Sequence, residues 1–183
     1  QPVIPRESDW QRYRRQLQGY RTTLRETLAS DSHAALITFN DQLQDFVRQL
    51  LTDTAALLGQ SGPAFTILAL GSMSRKAMAA YSDLEYAVLV REQADAEWEE
   101  ADPKKTPAAF YLKTFCEIFE FKIRSLGETN RGLCLDDASQ PRTELTLRGT
   151  PAYIVRHCAA PGVDAHDGLV YSLLHAHYLY GDE

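Results

Sequence analysis

Apolar residues recur at steps of three and four along the first part of the chain, at Trp10, Tyr13, Leu17, Tyr20, Leu24 and Leu28. That period predicts a helix over 8–29, with Ser8 or Asp9 as its cap. Its other face carries Arg14, Arg15, Gln18, Arg21 and Arg25 and reads as a solvated basic face. After Ser30-Asp31-Ser32 the period resumes at Leu36, Phe39, Leu43, Phe46, Val47, Leu50 and Leu51. This predicts a second helix from about His33 to Leu58, so residues 1–60 form an antiparallel helical hairpin.

The pattern then changes. Gln60-Ser61-Gly62-Pro63 reads as a turn, and two short apolar runs follow, Phe65 to Leu70 and Tyr86 to Val90. Apolar runs this short, bounded by turn-forming or polar residues, predict buried strands. Between them, Ser72 to about Ala79 suits a short helix in which Met73 and Met78 pack. Thr106-Pro107 opens a helix through Phe110, Leu112, Phe115, Ile118 and Phe119. Leu133 to Leu135 and Thr143 to Leu147 are expected to complete the sheet. Thr150-Pro151 opens a short helix through Tyr153, Ile154 and Val155, and a final helix runs from roughly Asp164 to Tyr180. The expected class is α/β in the α+β sense: a small mixed sheet with flanking helices over 61–183, preceded by the hairpin, within a longer chain.

Composition narrows the chemistry. The chain has 183 residues and a formal charge of -6, which argues against nonspecific nucleic-acid binding and its usual basic footprint, while leaving room for a local basic groove. Cys116, Cys134 and Cys158 are too few and too widely spaced for a disulfide framework or a zinc pattern, and read as reduced core residues. His157, His166, His175 and His177 match no strong metal spacing. With no long apolar segment or signal-like start, a cytoplasmic location is expected. The run 92–102 is acidic, which suits a loop over a site but opposes direct phosphate contact. Lys104 and Lys105 at its end are secondary phosphate candidates.

The strongest chemical signal lies at 71–85. An extended Asp83-Leu84-Glu85 projects both carboxylates to one side, where they repel unless a cation or proton offsets them. A hard divalent cation such as Mg2+ or Mn2+ takes oxygen ligands and keeps room for water and substrate phosphates. Gly71-Ser72 permits close backbone approach and, entering a helix, offers N–H groups to a phosphate. Arg75 and Lys76 follow at once. Together they suit a metal–nucleotide complex.

Gly71-Ser72, ten intervening residues and Asp83-Leu84-Glu85 resemble the signature of the polymerase-beta-like nucleotidyltransferase superfamily. The fuller string, with Arg75, Tyr81 and Ser82, is similar to the branch of bacterial PII-protein uridylyltransferases and related nucleotidyltransferases. Ser74 and Ala77 depart from it, standing where a glycine and a glutamate are usual. The resemblance implies that Gly71, Ser72 and Arg75 hold the triphosphate of an NTP and that Asp83 and Glu85 ligate the metal. It also implies a third catalytic carboxylate on a neighbouring strand, for which Asp136 is the first candidate and Asp137 and Glu144 are rivals. The segment from Leu173 to Asp182 resembles the leucine-rich helix ending in Gly-Asp that follows this sheet. The implied reaction moves a nucleoside monophosphate from an NTP to an acceptor hydroxyl. The acidic chain favours a protein acceptor over nucleic acid, and a small-molecule acceptor is open to the superfamily. The rival reading is a degenerate domain that senses a nucleotide or docks a protein without turnover.

Overall fold

The computed structural model describes residues 7–59, 62–82, 84–90, 107–126, 146–149 and 173–182. Helix α1 spans Glu7–Thr27 and α2 spans Ser32–Leu58. Asp31 starts α2 by accepting the Ala34 N–H at 3.0 Å, which satisfies one of the amides a helix start leaves without an intrahelical partner. Gly59 ends it at φ +81°, donating to the Ala55 carbonyl. Both helices fall where the apolar period placed them.

Strands β1 (Phe65–Ala69) and β2 (Tyr86–Val90) pair antiparallel, from Phe65 opposite Val90 to Ala69 opposite Tyr86. Between them lies a single helical turn, α3 (Gly71–Ser74), and after them come α4 (Pro107–Ser125), β3 (Thr146–Gly149) and β4 (His177–Gly181). The sheet order is β3-β2-β1-β4. β3 runs parallel to β2, and β4 runs antiparallel to β1 with a register shift between Ile67 and Leu68. The fold is therefore α+β, a small mixed sheet with flanking helices.

Strand alternation divides the sheet into two faces. Phe65, Ile67 and Ala69 of β1 and Tyr86, Val88 and Val90 of β2 join one cluster with Tyr13 and Leu17 of α1, seven α2 residues from Ala35 to Leu51, and Phe115, Phe119 and Ile123 of α4. Leu70 and Ala87 form a smaller cluster on the other face, packed by Leu68, Leu89, Leu173 and Ala176. The hairpin and the sheet thus share one core. Burying each large side chain there contributes on the order of 1.5–3 kcal/mol. Cys116 is buried within that core and forms no disulfide among the described residues, in line with the few, widely spaced cysteines of the sequence.

The most deeply buried of the described charged residues interrupts the apolar interior. Lys122 on α4 is 1% exposed, and its Nζ approaches the Leu50 carbonyl at 3.5 Å. Burial disfavours the ammonium and lowers its pKa to about 8, and the nearby Asp53 carboxylate opposes that shift in part. The Tyr13 hydroxyl donates to Asp53, so the polar group links all three long helices.

Two expectations give way. Residues 177–180, the expected end of the final helix, form β4 instead. Leu179 is buried between exposed Tyr178 and half-buried Tyr180, a strand alternation, and pairing with β1 satisfies the backbone. The helix predicted over 72–79 closes after one turn, since Lys76 adopts a left-handed φ of +52°. The expectations for 91–105, 131–135 and 150–166 lie outside the described residues. Among the described residues no helix is long and apolar enough to cross a membrane.

Candidate functional site

The site is built where β1 leaves the sheet. The Leu70 N–H donates to the Glu85 carbonyl at 2.9 Å, which carries the β1–β2 pairing one step beyond the strands. Gly71 follows, buried and at φ +55°. A Cβ built on it would overlap Glu85 Oε2 and stand 2.8 Å from Glu85 Cδ. Glycine is favoured here twice over, by the left-handed backbone and by the carboxylate lying against its Cα. Chain folding has brought together the two ends of the motif.

Leu70 is the cap residue of α3 and supplies no side-chain hydrogen bond. The first amides of any helix lack intrahelical acceptors, so those of Gly71 and Ser72 suit an anionic oxygen. The Ser74 hydroxyl donates to the Gly71 carbonyl at 2.9 Å, so Ser74 ties the turn to itself. Ala77 is exposed, and its N–H closes the loop onto the Ser72 carbonyl at 2.8 Å.

The rest of the loop is fastened to the helical hairpin. Gln44 Nε2 donates to the Met73 carbonyl at 3.0 Å. Asn40 meets Met78 at both backbone groups: its Nδ2 donates to the carbonyl at 3.1 Å and its Oδ1 accepts the N–H at 2.8 Å. Lys76 pairs with Asp41 at 2.7 Å, both side chains about half exposed. On α1, Arg21 Nε donates to the Ala80 carbonyl at 2.9 Å, and its guanidinium lies 4.4 Å from the centroid of the Tyr81 ring. Arg21 is only 9% exposed, so the basic face of α1 is not uniformly solvated. Arg14 stays exposed and donates to the Ser125 carbonyl at the end of α4.

Of the residues singled out from the sequence, Gly71, Ser72 and Glu85 meet at this corner, and Arg75 follows directly after α3, exposed. Asp83 lies outside the described residues, as do Asp136, Asp137 and Glu144. β3 does run beside β2, the position from which a third carboxylate was expected. Asn40 and Gln44 are not among the residues singled out from the sequence, and Arg21 is there only as part of a solvated face. A signal for the first two was present: both fall on the apolar stripe of α2, among Leu36, Phe39, Leu43 and Val47, where a polar residue must find a buried partner.

Glu85 offers hard oxygen donors at a half-buried position. Among the described residues no group of three or more His, Cys, Asp and Glu side chains is gathered. Mg2+ does not need one, because it is commonly held by one or two carboxylates, with water and substrate phosphates completing its shell. His175 and His177 are exposed and join no such group. At the far end of β1 a separate cavity of about 880 Å³ opens between Thr52, Phe65, Tyr111, Tyr180 and Asp182.

No family model matches the chain, and no curated protein matches it. What is established is the α+β class and the corner where Gly71 and Glu85 meet.

Proposed function

We propose that the protein is a metal-dependent nucleotidyltransferase that moves a nucleoside monophosphate from an NTP to an acceptor hydroxyl, with a protein as the acceptor. The observation carrying this reading is the Glu85 carboxylate lying against the Gly71 Cα, where any larger residue would displace it. It couples a phosphate-binding turn to a metal-binding carboxylate, the two parts that a metal–nucleotide site requires.

In this reading Gly71 and Ser72 offer backbone N–H groups to the β and γ phosphates, and Arg75 neutralises charge beside them. Glu85 and Asp83 would hold Mg2+ or Mn2+. A divalent ion there would supply charge neutralisation at the phosphates and at the departing pyrophosphate. The corner orients the α-phosphate for in-line attack by the acceptor oxygen: the new P–O bond forms as the bond to pyrophosphate breaks, and a carboxylate takes the hydroxyl proton. Asp136, Asp137 and Glu144 are the candidates for that last role.

The test is to incubate the protein with each α-labelled NTP, Mg2+ or Mn2+ and a cell lysate, and to resolve labelled protein, RNA and small molecules. Label appearing with wild type and not with Asp83→Ala supports the reading and identifies the acceptor class. Binding of NTP without label in any fraction would replace it with the nucleotide-sensing alternative.

A further inference from the structure

We propose that Asn40 on α2 is a positioning residue for the nucleotide site, so that the helical hairpin is a working part of that site. The inference rests on the metal–nucleotide reading of Gly71 and Glu85.

The ten residues between the two ends of the motif have no regular structure beyond the single turn of α3. Their own hydrogen bonds are short-range: Ser74 to Leu70, Ala77 to Ser72 and Ser82 to Ala79. Such bonds hold a turn in shape without fixing where it sits on the protein. Placement comes from the hairpin, and Asn40 supplies its most constrained contact. One amide grips both the N–H and the carbonyl of Met78, as a neighbouring strand would, which fixes that residue in rotation as well as in position.

The site is also dry. Asn40 is 2% exposed and Met78 1%, so water cannot substitute for the lost partner. The same Asn40 Nδ2 donates to the Leu36 carbonyl at 2.8 Å, within its own helix, which sets the rotamer before the loop arrives. One helical turn further, Gln44 holds Met73, and beyond the clasp Leu84 is 1% exposed and anchors the return to β2. Asn40 thus fixes the midpoint of an arm whose two ends are Gly71 and Glu85. It touches no substrate in this scheme. Its effect passes through the loop backbone.

Asn40→Leu keeps the number and branching of the side-chain heavy atoms, at a somewhat larger volume, and removes the donor and the acceptor. Leu51→Ala, in the same helix and fully buried, is the control, since its cavity weakens the core without touching the clasp. Calorimetric titration with MgATP, MgGTP, MgUTP and MgCTP, well below the unfolding temperature of each variant, reads the affinity. Amide hydrogen exchange over 73–82 reads the loop. Leaving both Met78 backbone groups without partners predicts a loss of about ten- to hundredfold in affinity for the preferred nucleotide in Asn40→Leu. Leu51→Ala should keep wild-type affinity despite its lower stability. Exchange over 73–82 should accelerate in Asn40→Leu while α4 stays protected. Wild-type affinity in Asn40→Leu, or an equal loss in both variants, overturns the positioning role and leaves the nucleotide reading standing. A wild type that binds none of the four overturns both.

Discussion

Gly71→Ala perturbs the centre of the site with one methyl group. At φ +55° an L-residue incurs about 1–2 kcal/mol of backbone strain. The stiffer unfolded chain returns about 0.4–1 kcal/mol of that. The new Cβ also meets the Glu85 carboxylate, which is the end of a flexible side chain and must swing away by about 1 Å or more. Forcing it off its rotamer adds on the order of 0.5–1.5 kcal/mol. The net loss should be about 1–2 kcal/mol, read by urea denaturation with an unchanged slope. A double-variant cycle separates the two causes. In a Glu85→Ala background the same substitution should cost about 0.5–1.5 kcal/mol less, since only the backbone strain remains. An equal cost in both backgrounds would refute the contact between Gly71 and Glu85, and no cost in either would refute the left-handed turn.

Two further outcomes follow from the scaffold. Lys122 has its pKa lowered to about 8 from 10.5, so the folded protein binds fewer protons than the unfolded chain between those values and stability rises with pH across that window. The urea-unfolding free energy of wild type relative to Lys122→Met should therefore rise from pH 7 to 10, by up to roughly 3 kcal/mol, and parallel curves would contradict the buried ammonium. Gly19 is exposed within α1 with nothing near its Cα, so Gly19→Ala should raise stability by about 0.5–1 kcal/mol, visible as a higher melting temperature.

How much of this was legible in the sequence depended on whether the signal was local. The long helices α1, α2 and α4 carry their own period, and β1 and β2 are short apolar runs between turn residues, so each was readable from neighbours in the chain. β4 was not, because Leu173, Leu174 and Tyr178 keep a helical spacing. Only pairing with β1 decides in favour of the strand, and that partner lies more than a hundred residues away. The glycine at 71 was readable as a turn, yet its second reason, the Glu85 carboxylate, exists only once β1 and β2 have paired. Arg21 shows the same limit. Its place among Arg14, Arg15 and Arg25 gave a solvated face, and the loop that buries it arrives from residues 80 and 81.

In the proposed function, Gly71 and Glu85 form a site for a metal–nucleotide complex. Mn2+ paramagnetic resonance with a non-hydrolysable NTP tests it without knowledge of the acceptor. Wild type should broaden the Mn2+ signal beyond what nucleotide alone produces, and Glu85→Ala and Gly71→Ala should each lose that broadening while remaining folded. Identical spectra for the wild type and both variants would contradict the account and remove the nucleotide from this corner of the sheet.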